Sequence, residues 1–406
     1  MAGALDIRWT AALALLLAAA SAAAAPQDRT PDAAEQTARR DAAAGARRWP
    51  ISGLATVDGL GNTRGGLRRG ARVLDKLAVA LAYDGHDGWT GVVSGQYING
   101  KRFSGDLVGD TQTASNIEGI GAARVYEVWL GRDFGSAARG GGVKAGLTDL
   151  NADFDVQEAG GLFLNSSTGI AAEFSHTGRN GPSIFPTTAL ALTGYVTPAP
   201  GWRLDLGIFD GVPGNPVRPK RFSIHLGGGD GALLVAQATR RWGERLRVEG
   251  GVWAYTAKFD LLDPADAPSR RPYSRGAYGL VEARLAGRDG GARRLSGWVR
   301  LGVADARVNA IAGYAGGGVV LAAPFAARDR DSVGIAVMHA MFGDPARRAA
   351  PGLHAAETAI EATWSVALGG GFEVQPDVQY IVHPGGLPGV RNAVVAGVRL
   401  TFAASR

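Results

Sequence analysis

From about Val73 to its carboxyl end, the chain repeats one pattern: short segments of alternating apolar and polar residues, separated by clusters of Gly, Asp, Asn and Pro. A period of two puts successive side chains on opposite faces, so each segment reads as a strand with one apolar and one polar face. In residues 89–97, Trp89, Val93 and Tyr97 share a face, and Thr90, Ser94 and Gln96 share the other. In 246–255, Leu246, Val248 and Val252 oppose Arg247, Glu249, Trp253 and Tyr255; in 295–303, Leu295, Val299 and Leu301 oppose Ser296, Trp298 and Arg300. Residues 372–382 set Phe372, Val374, Val378, Tyr380 and Val382 against Glu373, Gln375, Asp377 and Gln379. Near the end, Val394, Val398, Leu400 and Phe402 oppose Arg399 and Thr401. Candidate strands fall near residues 73, 89, 124, 143, 169, 189, 202, 233, 246, 277, 295, 314, 332, 357, 372 and 393. That makes about sixteen, each of roughly the 9–11 residues that cross a bilayer at a tilt.

The amino end says where such a chain goes. Arg8 precedes an apolar run over residues 10–20, followed by the small residues 21–25. A charged start, a short apolar run and a small-residue patch describe a secretory signal peptide, cleaved between about Ala22 and Ala25. The run is too short and too rich in alanine to span a membrane, and no later apolar run is long enough. The expected division is a signal peptide over 1–25, a polar amino-terminal segment over 26–64, a barrel over 65–402 and a tail over 403–406. The glycine-rich stretch 58–66 reads as a loop, since no helix follows it that could cradle phosphate.

An exported chain of 406 residues with no cysteine has no disulfides to hold it, so packing or a closed sheet must. Closing the sheet satisfies every backbone N–H and C=O, which lipid cannot do. Short turns alternate with longer Pro- and Arg-rich links such as 210–223 and 263–275, the asymmetry of tight periplasmic turns and longer outer loops. A soluble β-sandwich shares the alternation, but export, the strand count and mixed-charge polar faces favour the barrel. The fold expected is therefore all-β: a transmembrane antiparallel up-and-down β-barrel of about sixteen strands in a bacterial outer membrane. A barrel that wide leaves an aqueous lumen. The formal charge of +6 and pI near 9.7 would raise nucleic acid for a soluble protein, but export and the even spread of basic residues exclude that partner.

The chemistry points away from catalysis. The histidines, His86, His176, His225, His339, His354 and His383, are scattered and never in ligand spacing, so neither metal nor cofactor is expected. No nucleophile elbow or Walker loop occurs. One enzyme class remains as an alternative, an outer-membrane barrel lipid hydrolase with a Ser/His pair on the lipid-facing wall. His339 falls on the apolar face of 333–341, but no serine is fixed beside it. With the apolar face outward, the inward set includes Arg203, Asp205, Arg284, Glu373, Asp377 and Arg399. The residues chosen from it to line the substrate path are Glu127, Trp129, Lys144, Arg247, Glu249, Trp253, Glu282, Trp298 and Arg300. Mixed charges with aromatics between them suit a neutral polar solute, whose hydroxyls pair with Arg, Glu and Asp while its C–H faces pack on rings. Charges also line any water-filled lumen and pair across strands without selecting anything. Trp89, Trp202 and Trp364 point outward as girdle residues.

Several strings carry a resemblance. They are Gly65-Gly66-Leu67-Arg68, Ser115-Asn116-Ile117-Glu118, Arg124-Val125-Tyr126-Glu127-Val128-Trp129-Leu130 and Lys144-Ala145-Gly146-Leu147. Ala159-Gly160-Gly161-Leu162-Phe163-Leu164-Asn165-Ser166-Ser167 follows, with weaker echoes in Gly207-Ile208-Phe209-Asp210-Gly211 and Gly250-Gly251-Val252-Trp253. The most specific is Gln375-Pro376-Asp377-Val378-Gln379-Tyr380-Ile381-Val382-His383-Pro384-Gly385-Gly386. In this order, from about Gly65 to Phe402, they resemble the carbohydrate-selective porins of Gram-negative bacteria (the OprB-like family). The resemblance implies a sixteen-stranded barrel that passes glucose and related saccharides. Glu127 and Trp129 lie in a matching string and also face inward by alternation. The partners implied are small neutral saccharides and outer-membrane lipid; monomer and homotrimer both stay open, and a non-selective general diffusion porin is the nearest alternative. One departure is that Phe402 is followed by four more residues, where such barrels commonly end on an aromatic.

Overall fold

The computed structural model describes residues 49–406, apart from 86, 137, 225, 264 and 266–270. The expected signal peptide, residues 26–48, His86 and His225 lie outside the described residues. The chain forms strands β1 (Ile51–Gly66), β2 (Gly70–Asp84), β3 (Trp89–Ile98), β4 (Ala122–Gly135), β5 (Gly140–Thr148), β6 (Ala189–Val196), β7 (Trp202–Asp210) and β8 (Ala232–Trp242). It continues with β9 (Leu246–Lys258), β10 (Tyr273–Gly287), β11 (Arg294–Ala304), β12 (Ile311–Ala322), β13 (Ser332–Phe342), β14 (Ala356–Gly369), β15 (Phe372–Val382) and β16 (Arg391–Ser405). Each strand pairs antiparallel with its sequence neighbours, and β1 also pairs with β16, which closes the barrel. The alternation explains the wall: Val143, Leu206, Val252 and Val299 stand exposed on the outside, while the residues between them are buried inside. No helix among the described residues is long and apolar enough to cross a membrane. The strands cross instead, because a closed ladder leaves no edge unpaired.

The two ends of the barrel differ. Links such as 85–88, 197–201 and 243–245 are short, and both termini lie at their end; links at the other end include 99–121, 149–188 and 211–231. Exposed aromatics ring the short-turn rim, among them Phe134, Trp202, Trp242, Trp364 and Phe372, and Tyr97, Tyr273 and Tyr380 lie toward the opposite one. Aromatic girdles at both rims are what a membrane-spanning barrel presents to its two interfaces. Arg240 sits 5.3 Å from the Trp202 ring, and Arg132 5.2 Å from that of Trp89.

Three expectations change. The barrel starts at Ile51, not at residue 65, so the whole glycine-rich stretch 58–66 is strand and not loop. Its glycines hide the alternation, but its backbone pairs on both sides, and inward Asp58 meets Arg399 of β16 at 2.7 Å through both carboxylate oxygens. The candidate strand near 169 is absent; residues 149–188 form a long link with three short 3-10 turns and one α-helical turn, Ala172–Ser175. One strand gained and one lost leave sixteen. The expected tail 403–406 is mostly strand as well, since Ser405 pairs with Ser52 and Phe402 packs on Phe372 with ring centroids 4.5 Å apart.

Candidate functional site

Links 99–121 and 149–188 turn into the lumen, and apolar burial explains why. Phe154, Phe163, Leu164 and Phe174 on the longer link are all 0% exposed. On an outer loop each would face water, at about 1.5–3 kcal/mol per side chain. Inside, Phe163 meets Trp298 of β11 (5.3 Å), Phe174 stacks on Trp253 of β9 (5.0 Å, 3° between planes) and Phe154 sits edge-on to Phe209 of β7. Inward-facing tryptophans on a water-filled wall are thereby covered.

Charge pairing holds the same link in place. Arg300 of β11 donates from Nε and Nη2 to the two oxygens of Asp155 (3.1 and 2.8 Å) and from Nη1 to Glu173, and all three side chains are fully buried. The guanidinium also lies over the rings of Tyr278 and Tyr314. Burial pushes the Asp155 and Glu173 carboxyls above their ordinary values, although Arg300 pulls the other way. Arg247 of β9 donates to the Val156 carbonyl (2.8 Å), to Glu282 (2.7 Å) and to Glu249. Glu282 in turn accepts from the Ala159 N–H at 2.9 Å. Trp298 Nε1 donates to Gln157 at 3.1 Å, Lys144 pairs with Asp153 at 2.6 Å, and Glu127 accepts from the Asp149 N–H at 2.8 Å.

All nine residues chosen as the substrate path thus face inward, but not as free walls of a water path. Glu127, Lys144, Arg247, Trp253, Glu282, Trp298 and Arg300 touch link 149–188 directly; Glu249 acts through Arg247, and Trp129 lies beneath the Lys144 ammonium at 4.9 Å. Alternation assigned their face correctly and could not foresee that a loop would cover it.

The opposite wall does the same work through Glu357 and Glu361, which alternation did not single out, and through Gln375 and Gln379 on the polar face of 372–382. Glu357 of β14 accepts from the N–H groups of Thr111 (2.7 Å) and Gln112 (2.9 Å), and Glu361 from those of Leu164 and Asn165. In β15, Gln375 donates to the Leu162 carbonyl (2.6 Å) and Gln379 to that of Ala114 (2.8 Å). The string Gln375 to Gly386 is therefore where the far wall grips both links. Ser115 donates to Asp58 at 2.6 Å, Arg399 reaches Asn116, and the links join each other through Asn116 N–H to Leu164 O (2.7 Å). At the turn from β1 to β2, Gly65 and Gly66 have positive φ, and a Cβ on Gly65 would lie 1.9 Å from the Asn392 carbonyl oxygen, so only glycine fits. Asp155, Gln157, Glu173, Glu357 and Glu361 were missed; the signal available was a run of buried-type residues, Phe154, Leu162, Phe163, Leu164 and Phe174, in a stretch that should have been solvated.

His339 stands on the outer wall, its Nδ1 2.8 Å from the hydroxyl of Thr358, its neighbour in register on β14. The neighbour of His339 in register is therefore a threonine, not the serine of the Ser/His pair considered above. No group of histidines and carboxylates that could hold a metal occurs among the described residues.

A closed sixteen-stranded barrel whose lumen is narrowed by links tied to inward charges has the architecture of a porin, an outer-membrane channel. The chain belongs to the carbohydrate-selective porins of the OprB family, whose family model matches residues 80–403. It is similar to Porin B of Pseudomonas aeruginosa, 25% identical over 346 residues, 74% of each chain. In fold it is similar to Pseudomonas putida OprB in its high-pH structure, with a TM-score of 0.78 at 18% identity, covering 93% of this chain and 99% of that one. The outer membrane channel DcaP of Acinetobacter baumannii superposes at 0.54 with 10% identity, covering 88% and 97%.

Proposed function

We propose that the protein is exported by its amino-terminal signal and lets small neutral saccharides of the glucose type diffuse into the periplasm. The observation that carries this reading is the pinned link 149–188. A constriction clamped by Arg300 and Arg247 on one wall and by Gln375 and Glu361 on the other has a set size and polarity, which selection among solutes of similar size requires. Glu127, Trp129, Lys144 and the other inward residues act by holding that constriction and by supplying polar and aromatic contacts beside it. The test is a planar-bilayer recording of the purified full-length protein under titration with glucose and maltose. Saturable reduction of the ion current supports the proposal; conduction with no sugar dependence makes the chain a non-selective diffusion pore. Intact-mass measurement of protein purified from outer membranes checks the export reading, with a mature start expected between about Ala23 and Pro26.

A further inference from the structure

Beside the constriction, one sector of the inner wall stays open to water. Lys144, which pairs with Asp153, marks the edge of link 149–188 there. On its short-turn side the register lines up Asp133 of β4, Gly142 of β5, Tyr195 of β6 and Asp205 of β7. Gly142 precedes Lys144 by two residues, so this row lies one inward position, roughly 6–7 Å along the strand, nearer the short turns. The Asp133 N–H donates to the Gly88 carbonyl of turn 85–88 (2.7 Å), which puts the row at the mouth. That end faces the periplasm in an outer-membrane barrel. Gly142 makes room for Tyr195: a Cβ there would collide with the Tyr195 ring and with Asp133 Oδ1. Tyr195 Oη donates to the same Asp133 oxygen at 2.9 Å, and the Arg203 guanidinium lies 3.7 Å over the Tyr195 ring. Arg203 Nε donates to Asp205 Oδ1 at 2.8 Å. These contacts fix Asp133 and Arg203 without covering them. Asp133 is exposed, the Arg203 side chain is 41% exposed, and neither bonds to a link among the described residues.

We infer that Asp133 and Arg203, positioned by Tyr195, form a second saccharide-binding station at the short-turn mouth, just beyond the constriction. Asp133 offers its second carboxylate oxygen as an acceptor, and Arg203 offers the donors of its Nη atoms on a planar fork. Neighbouring hydroxyls of a neutral pyranose both donate and accept, so one sugar unit can meet both groups. A cation would face the Arg203 guanidinium, and an anion the Asp133 and Asp205 carboxylates, so neither suits the row as a neutral polyol does. The inference rests on the sugar passage proposed above and adds a second contact to it. A saccharide of several units that reaches the station still has a unit in the constriction, and the two contacts reinforce each other because the units are linked. Glucose, a single unit, gains no such increment.

The experiment compares block of the ion current by glucose and by maltotriose in planar bilayers. The proteins are the full-length wild type, the double variant Asp133→Asn with Arg203→Gln, and Tyr195→Phe. Wild type is expected to bind maltotriose about tenfold more tightly than glucose. The double variant should lose about fivefold in maltotriose affinity and less than about twofold in glucose affinity, with Tyr195→Phe in between. Retained heat-modifiable mobility on gels shows that each variant is a folded barrel. Equal affinity of wild type for the two sugars, equal losses for both in the double variant, or no loss for either overturns the station and leaves sugar passage standing. So does a double variant that shifts the reversal potential in a salt gradient but keeps the maltotriose increment, which would make the row an ion-selecting one. A wild type blocked by neither sugar removes the transport reading and the station with it.

Discussion

Arg300→Met is the sharpest perturbation the lumen offers. It keeps much of the side-chain volume and removes a guanidinium that makes three hydrogen bonds to two carboxylates, all in a site with no solvent exposure. Removing one partner of such a buried cluster costs about 3–5 kcal/mol, chiefly because the remaining charges are left uncompensated. At about 1.4 kcal/mol per factor of ten, that shifts the balance between seated and released link by roughly two to three and a half decades. The barrel itself is expected to persist, since its sixteen paired strands do not pass through this contact. The segment from Asp155 to Glu173 should come away from β11, while the anchors on Glu357, Gln375 and Gln379 hold the far side. Single-channel recordings should then show a larger, noisier conductance and weaker glucose block, and amides of 155–174 should exchange faster with deuterium.

The pH dependence follows with its sign. Burial already raises Asp155 and Glu173 above ordinary carboxyl values, and without Arg300 both rise further. A carboxyl whose pKa is raised in the seated state favours that state when protonated, and the gain is lost as pH rises through the raised value. The extra current of Arg300→Met should therefore be largest at neutral and alkaline pH and shrink on acidification. Arg300→Lys, which keeps the charge and loses the bidentate fork, should fall between the two. A folded Arg300→Met channel with wild-type conductance, sugar block and exchange would refute the idea that this cluster seats the constriction.

Other outcomes follow from the same geometry. Gly302 leaves the space the cluster occupies: a Cβ there would lie 1.9 Å from Glu173 Oε1 and 2.1 Å from Arg300 Nη1. Gly302→Val should expel Glu173 and reproduce the Arg300→Met recordings without touching a charge; wild-type currents would show that the cluster tolerates displacement. Glu127→Ala and Trp129→Ala should weaken sugar block more than they change single-channel conductance, since Glu127 fixes the start of the link through the Asp149 N–H. Equal effects on both would make these residues wall filler. His339→Ala should leave every recording unchanged, and phospholipid hydrolysis by the wild type in detergent, abolished by this change, would reopen the enzyme reading.

How far the chain could be read without coordinates depended on how local each cause was. The wall was legible because inside and outside alternate at every second residue, a pattern carried by five or six consecutive side chains, as in 372–382. Strand β1 escaped because Gly59 and Gly61 carry no side chain to mark a face; its evidence is the pairing with β2 and β16, and β16 begins more than three hundred residues later. The false strand near 169 is the converse, since Ile170, Ala172 and Phe174 mimic an apolar face but are buried by a loop against β9 and β11. By itself the sequence determined a closed β-barrel with charged and aromatic residues on its inner face. Only the tertiary structure decided that two links enter the lumen, and that Arg247, Trp253, Trp298 and Arg300 grip a loop instead of standing free. The reason is that a strand's face is set by its own period, whereas a loop's destination is set by partners on distant strands, here Asp155 and Glu173 finding Arg300 across 145 and 127 residues of chain.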